Sequence, residues 1–145
     1  TADMFRSVTN DLMVSPQIGL DAVAEAKALG VTLIINNRPE GESEDQVPGA
    51  DIEAAAHAAG LEYVAIPITH SGFSQPQVEA MVAALQGADG KVLAYCRSGT
   101  RSTLLWALAE SAQGGDPDSL TNLASKAGYD VSPVRPLMDM LKAQA

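Results

Sequence analysis

The residues best suited to chemistry lie in one short segment, residues 96–102 (Cys-Arg-Ser-Gly-Thr-Arg-Ser). Cys96 is the only cysteine of the chain, and a thiolate is a strong nucleophile. Two of the chain's five arginines, Arg97 and Arg101, lie in this segment and favour a negatively charged sulfur. Gly99 allows a tight turn in which successive backbone N–H groups point inward at an anion. The segment therefore predicts a nucleophilic thiolate inside an anion-binding loop.

The hydroxyl groups of the same segment add polar contacts. Ser98 and Thr100 are predicted to bind a substrate anion, together with Arg97, Ser102 and the loop backbone at Gly99. Ser102, which follows Arg101, is predicted to hydrogen-bond the sulfur and so make it a better leaving group. A lone cysteine after an apolar strand is more often a small buried hydrophobic residue. Two arginines beside such a residue would be costly to desolvate, so we favour the reactive thiol.

The apolar patterns on either side of this loop predict how it is held. Residues 92–95 form an apolar run typical of a buried strand, and a helix is predicted after the loop to about residue 112. Two more buried strands are predicted at 31–35 and 62–66, each preceded by a helix that ends at a glycine. This alternation predicts a parallel sheet between helical layers, with the site at the carboxyl ends of the strands.

Turn and capping residues predict the remaining boundaries. A short strand or hairpin is predicted within residues 5–14, and Ser15 with Pro16 is predicted to begin the first helix. Three further helix starts are predicted from N-cap and proline patterns, at Ser74 with Gln77, at Asp116 with Pro117, and at Ser132 with Pro133.

The Cys loop resembles the active loops of two enzyme families. Its order Cys-Arg-x-Gly-x-Arg strongly resembles that of rhodanese-type sulfurtransferases. Its position between a strand and an Arg-Ser helix start also resembles the signature of tyrosine and dual-specificity phosphatases. Those phosphatases place five residues between cysteine and arginine, whereas four separate Cys96 from Arg101. They also usually carry histidine at the position of Tyr95.

Two other segments resemble the phosphatases alone. Residues 34–40 (Ile-Ile-Asn-Asn-Arg-Pro-Glu) resemble a strand-end segment of atypical dual-specificity phosphatases, and residues 63–70 resemble a second one. In the second segment His70 stands where those enzymes carry an aspartate general acid. Together, residues 14–112 resemble the phosphatase-like domain of the bacterial beta-lactamase-hydrolase-like family. The length of 145 residues predicts a single domain over residues 1–145. The resemblance implies that this domain is an α/β three-layer sandwich with a parallel sheet, of the cysteine-dependent phosphatase type.

Arg38 and His70 are the candidate site residues outside the loop. Arg38 is predicted either to bind a substrate anion or to join loops by pairing with an acid, and we favour the second role. His70 is predicted to act as a general acid or as a cation that holds an anion, and the alternative is a surface histidine without a role. The acidic residues of the next loop, including Glu42, are interpreted as solvated charge, with a metal site as the weaker alternative. We expect no metal and no cofactor.

Composition limits the classes of partner. The net charge of −9 argues against nucleic-acid binding and against an anionic membrane surface. No apolar run approaches the length of a membrane span, and the first residues show no signal pattern, so a cytoplasmic location is predicted. A single cysteine excludes an internal disulfide and an internal resolving thiol, so an external acceptor must regenerate a modified Cys96.

Three functions are compatible with these residues, each with a small anionic substrate. The favoured hypothesis is sulfane-sulfur transfer, in which Cys96 takes sulfur from thiosulfate or a persulfide and passes it to an acceptor thiol. This reaction needs no general acid and suits the shorter loop. The alternative is hydrolysis of a phosphate ester, with Arg101 binding two phosphate oxygens and a general acid protonating the leaving group. The third hypothesis is a non-catalytic anion or redox sensor.

Overall fold

A five-stranded sheet forms the centre of the computed structural model, which describes residues 2–145. The strands are β1 (Arg6–Ser7), β2 (Leu12–Ser15), β3 (Val31–Asn36), β4 (Glu62–Ala65) and β5 (Lys91–Tyr95), in the spatial order β1-β2-β5-β3-β4. β1 pairs antiparallel with β2, and the other neighbouring pairs are parallel. The predicted α/β class is confirmed, and the strand that leads into Cys96 is the central one.

Helices cover both faces of this sheet. They are α1 (Leu20–Ala28), α2 (Gly49–Ala58), α3 (Gln75–Gly87), α4 (Thr100–Ala112), α5 (Pro117–Lys126) and α6 (Arg135–Gln144). Two 3-10 turns, Ala2–Met4 and Ser132–Val134, lie near the ends of the chain. α1 and α2 pack on one face, whereas α3 to α6 pack on the other. The three-layer arrangement is therefore also confirmed.

Successive residues of the inner strands contribute to opposite cores. In β5, Val92 and Ala94 face the larger core, while Leu93 and Tyr95 face the smaller one. A strand covered on both faces is apolar along its whole length, which is why it appears as a continuous run in the sequence. α4 is buried from Ser102 to Ala109, so the helix that follows the Cys loop is held firmly in the larger core.

Two predicted helix starts are wrong. Ser15 is the last residue of β2 and pairs with Tyr95, so strand pairing overrides the helix signal of Ser15 and Pro16. α1 begins only at Leu20. Ser132 and Pro133 form a 3-10 turn before α6. The starts at Ser74 and Asp116 are confirmed. No helix within residues 2–145 has both the length and the apolar character needed to cross a membrane.

Candidate functional site

Cys96 lies at the carboxyl end of β5 and is fully buried in this structure. The backbone N–H of Gly99 donates to the Cys96 Sγ, with an N···S distance of 3.1 Å. Gly99 is the N-cap residue of α4, with a left-handed φ of 93°, and no side chain caps this helix. A Cβ at this position would be strained and would overlap the hydroxyl of Tyr129. The start of α4 thus directs a backbone donor at the sulfur, as an anion-binding helix N-terminus does.

The guanidinium of Arg101 is bound by a carboxylate from another loop. Its Nη1 and Nη2 donate to the two oxygens of Glu42 at 2.7 and 2.9 Å, and Nη1 also donates to the Ile68 carbonyl at 2.7 Å. The hydrogen bonds to Glu42 raise the pKa of Arg101, burial opposes this rise, and the charge of Cys96 adds to it. Arg101 therefore interacts with both the Glu42 carboxylate and the Cys96 side chain.

The sequence interpretation of Glu42 as a solvated loop charge is wrong. Its side chain is only 15% exposed, and it bridges Arg101 and Arg38, with 3.0 Å between Arg38 Nε and Glu42 Oε1. The hydrogen bonds from Arg101 lower the pKa of Glu42 from its ordinary 4.5 to about 2; burial opposes this effect and Arg38 adds to it. Glu42 is therefore an anion at neutral pH and is not a solvated loop charge.

Arg38 is buried, and the protein itself occupies its donors. Besides the bond to Glu42, its Nη1 donates to Gln17 Oε1 at 3.0 Å and its Nη2 donates to Ser43 Oγ at 3.1 Å. These contacts connect the loop after β3 with the segment after β2. Of the two predicted roles for Arg38, the geometry favours the joining of loops.

Ser102 also makes a structural contact that differs from the predicted one. Its Oγ donates to Asn37 Oδ1 at 2.7 Å, and Asn37 Nδ2 donates to the Ile66 carbonyl at 2.9 Å. The hydroxyl hydrogen of Ser102 is thus engaged by Asn37 and is not donated to the sulfur, contrary to the prediction. Both residues are buried and polar, so each needs a hydrogen-bond partner within the protein. The pair connects the first turn of α4 to the ends of β3 and β4.

Exposed polar residues surround the outer side of the loop. Arg97, Ser98 and Thr100 are exposed, and the Ser98 hydroxyl donates to Thr100 Oγ1 at 3.1 Å. His70 is also exposed, in the turn after β4, two residues beyond the Ile68 carbonyl that contacts Arg101. The loops after β3, β4 and β5 therefore meet at one edge of the sheet, as expected for a parallel α/β fold.

Tyr95 occupies the position at which the phosphatases usually carry histidine. Its side chain is buried, and its hydroxyl has no hydrogen-bond partner within the described chain. Burial raises the pKa of Tyr95 above its usual value, so the side chain stays neutral. It cannot supply the positive charge that a histidine at this position can carry.

Comparison with known proteins identifies this arrangement. The family described as "Beta-lactamase hydrolase-like protein, phosphatase-like domain" matches residues 4–113, which include the whole Cys loop. The chain belongs to this family. It is 35% identical over 126 residues to the beta-lactamase hydrolase-like protein of Xylella fastidiosa. That alignment covers 86% of the chain but only 29% of the relative, so the chain spans less than a third of the relative's length.

Solved structures support the same scaffold. A candidate phosphatase from Neisseria meningitidis is 31% identical, with a TM-score of 0.81, and the match covers 94% of this chain and 96% of that one. TpbA of Pseudomonas aeruginosa, solved in complex with pTyr, is 18% identical with a TM-score of 0.67, over 97% of this chain and 89% of that one. The second similarity shows the fold alone. The chain thus has the scaffold of the cysteine-dependent phosphatases.

Three residues of the site were missed by sequence reasoning. They are Gln17, Glu42 and Tyr129. One signal was available for Glu42, because two arginines placed near buried strand ends require a negative partner. No pattern in the sequence pointed to Tyr129, which also lies beyond the segment matched by the family.

Proposed function

We propose that this domain transfers sulfane sulfur through a persulfide on Cys96. The observation that carries the proposal is the ion pair between Arg101 and Glu42, in which both terminal nitrogens of the arginine bind the carboxylate. A phosphatase would use this planar fork to bind two oxygens of the transferred phosphoryl group. Here the fork already holds an anion from the protein itself.

The charge of Glu42 also acts on the choice of substrate. Because its pKa is about 2, Glu42 keeps its negative charge throughout the neutral range. A phosphate ester dianion at Arg101 would have to displace this carboxylate or lie beside it, and like charges at such distances repel. Attack on the outer sulfur of a persulfide does not require the arginine to bind two oxygens. The site is therefore better suited to attack on a persulfide than to attack on a phosphate ester or on another dianion such as thiosulfate.

The proposed reaction consists of two exchanges at sulfur. The Cys96 thiolate attacks the outer sulfur of a donor R–S–SH; a new S–S bond forms, the S–S bond of the donor breaks, and R–S⁻ leaves. With thiosulfate as donor the leaving group is sulfite. An acceptor thiolate then attacks the outer sulfur of Cys96–S–SH and releases the Cys96 thiolate. The N–H of Gly99, 3.1 Å from Sγ, stabilises the thiolate before and after the transfer.

Hydrolysis of a phosphate ester through a phosphocysteine is the second candidate. The family description and the phosphatase neighbours favour it. For this reaction Arg101 would have to exchange Glu42 for the phosphate, and a general acid would have to protonate the leaving oxygen. His70, exposed after β4, is the candidate for that acid. Without a general acid, turnover of unactivated esters is expected to be about 10²–10⁴-fold slower.

One pair of measurements separates the candidates. The protein is incubated with thiosulfate or glutathione persulfide and its intact mass is recorded, and release of phosphate from an aryl phosphate is followed separately. We expect glutathione persulfide to add one sulfur atom, which a thiol or cyanide then removes, and no sulfur to be added to the Cys96→Ser control. Phosphate turnover without sulfur loading would reject sulfur transfer. If neither activity is found, the sensor hypothesis becomes the favoured one.

The role of His70 is tested with the His70→Ala variant. If this variant leaves both activities unchanged, His70 has no catalytic role.

A further inference from the structure

We propose that Tyr129 is a positioning residue that orients the backbone donor of the Cys loop toward the sulfur. The inference rests on the proposed thiol function of Cys96 but not on whether the substrate carries sulfur or phosphorus. Tyr129 lies between α5 and α6, 33 positions after Cys96 in the printed sequence. Its hydroxyl donates to the carbonyl oxygen of Ser98 at 3.2 Å.

The contact acts through a single peptide unit. The carbonyl of Ser98 and the N–H of Gly99 belong to the same peptide group, and no peptide bond within residues 2–145 is cis. In a planar trans peptide the C=O and N–H bonds point in opposite directions. Tyr129 holds the oxygen on the outer side at 3.2 Å, so the N–H points inward to Cys96 Sγ at 3.1 Å. One hydrogen bond thus determines the direction of the other.

This peptide needs an external contact because its own residues restrain it weakly. Gly99 has no side chain and is free to adopt many backbone conformations, and no side chain caps α4. The ring edge and hydroxyl of Tyr129 occupy the space in which a Cβ of residue 99 would lie. The glycine therefore makes room for the tyrosine, and the tyrosine restrains the glycine.

Tyr129 is itself held in place. Its backbone N–H donates to the Ala124 carbonyl at 2.9 Å, which closes the end of α5. Its ring is partly buried against the larger core. α5 begins with the Asp116 side chain accepting a hydrogen bond from Ser119 N, so the helix is fixed at both ends. The orientation of the loop peptide is therefore tied to a helix that contributes no residue to the loop itself.

The sulfur interacts with titratable groups from different parts of the fold. Arg101 of α4 and the Tyr129 phenol both interact with Cys96. Arg101 is in turn bound by Glu42, and the phenol interacts with Arg6. Burial raises the pKa of Tyr129, the charge of Cys96 adds to this, and Arg6 opposes it. The phenol is thus protonated at neutral pH and remains a hydrogen-bond donor. The Tyr129→Phe substitution removes this donor and leaves the arginines and Glu42 in place.

The test is a titration of the single thiol in the complete chain. Ultraviolet absorbance of the thiolate is recorded against pH, with the Cys96→Ser variant subtracted. We expect Tyr129→Phe to move the midpoint to higher pH by about one unit, because a misdirected N–H no longer stabilises the thiolate. Tyr63→Phe is the matched control, since the Tyr63 hydroxyl accepts from Asn36 Nδ2 at 2.9 Å away from the loop. It should leave the midpoint unchanged.

A second measurement covers the case of a disturbed fold. Hydrogen exchange of the Gly99 amide should become faster in Tyr129→Phe while the amides of β5 stay protected. An unchanged midpoint together with unchanged Gly99 exchange would overturn the proposal, as would an equal shift in Tyr63→Phe. Neither readout uses a substrate. A shifted midpoint in a protein that never accepts sulfur would therefore support Tyr129 while rejecting sulfur transfer.

Discussion

The helices α3 and α4 begin in opposite ways. At α3 the Ser74 hydroxyl accepts from the Gln77 N–H, and the Gln77 side chain accepts from the Ser74 N–H, so the helix closes its own first turn. At α4 the N-cap is Gly99, which has no side chain, and its N–H is directed at the Cys96 sulfur. Both helices have 13 residues and pack against the same core.

The first turn of α3 is stabilised by its own cap, whereas the first turn of α4 has the arrangement of an anion-binding site. A capped first turn has its donors satisfied by neighbouring residues and leaves little for a ligand. At the start of α4 the Gly99 N–H points to the Cys96 sulfur and is not taken up by a cap, and distant residues provide the restraint that a cap would have given. Tyr129 orients the Gly99 peptide, and Glu42 holds Arg101 in the first turn of the helix. The Cys loop thus depends on tertiary contacts, whereas the start of α3 depends on residues that are neighbours in the sequence.

Gly99→Ala should have the largest effect on this contrast. A Cβ at a φ of 93° is strained and overlaps Tyr129, so we expect the free energy of unfolding to fall by roughly 2–3 kcal/mol. Loss of the directed N–H should slow sulfur loading by roughly 10²-fold. Urea denaturation and intact-mass kinetics measure the two effects. Normal loading in a folded Gly99→Ala protein would show that α4 does not need an open start.

Glu42→Gln should have an intermediate effect that depends on pH. The folded pKa of Glu42 is about 2 and the ordinary value is 4.5, so its carboxylate stabilises the fold above about pH 5. This contribution is lost as the pH falls through about 2. We expect the variant to be less stable at neutral pH by roughly 1–2 kcal/mol, after allowance for solvent screening.

The measurement is urea denaturation of both proteins between neutral and acid pH. The difference in unfolding free energy should shrink on acidification, because the wild type loses its ion pairs as Glu42 is protonated. Glu44→Gln, which changes an exposed acid of the same loop, is the control and should show no such trend. A constant difference between wild type and Glu42→Gln across this range would contradict the assigned role of Glu42.

Ser74→Ala should have the smallest effect and completes the comparison. Loss of the N-cap is expected to lower the free energy of unfolding by about 1 kcal/mol. Sulfur loading and the thiol titration should not change, because the hydrogen bonds of the α3 cap join Ser74 and Gln77 and involve no loop residue. A clear change in the titration would mean that the two helix starts are coupled after all.

Much of the fold follows from local patterns. The apolar runs predicted β3, β4 and β5 because strands covered on both faces must be continuously apolar. Ser74 and Asp116 predicted their helices because capping involves neighbouring residues. The helix start predicted at Ser15 and Pro16 is wrong because Ser15 pairs with Tyr95 in the sheet, a contact that no local pattern encodes.

For the candidate site, the position of the cysteine loop was predictable, but the residues that contact it were not. Cys96, Gly99 and Arg101 stand within six positions of one another, so their spacing alone predicts an anion-binding loop. Glu42 was interpreted as solvated charge because the path of its loop depends on packing. Ser102 was predicted to contact the sulfur, yet its hydroxyl donates to Asn37, 65 positions away.

The sequence by itself determined the position of the cysteine loop, the alternation of strands and helices, and the family that the chain resembles. These depend on residues close together in the chain, whose spacing limits their conformation directly. Only the tertiary structure decided that Glu42 binds Arg101 across 59 positions and that Tyr129 binds Ser98 across 31. The physical reason is that a loop's path is set by the surfaces it packs against, and those surfaces exist only once the sheet and its helices have assembled.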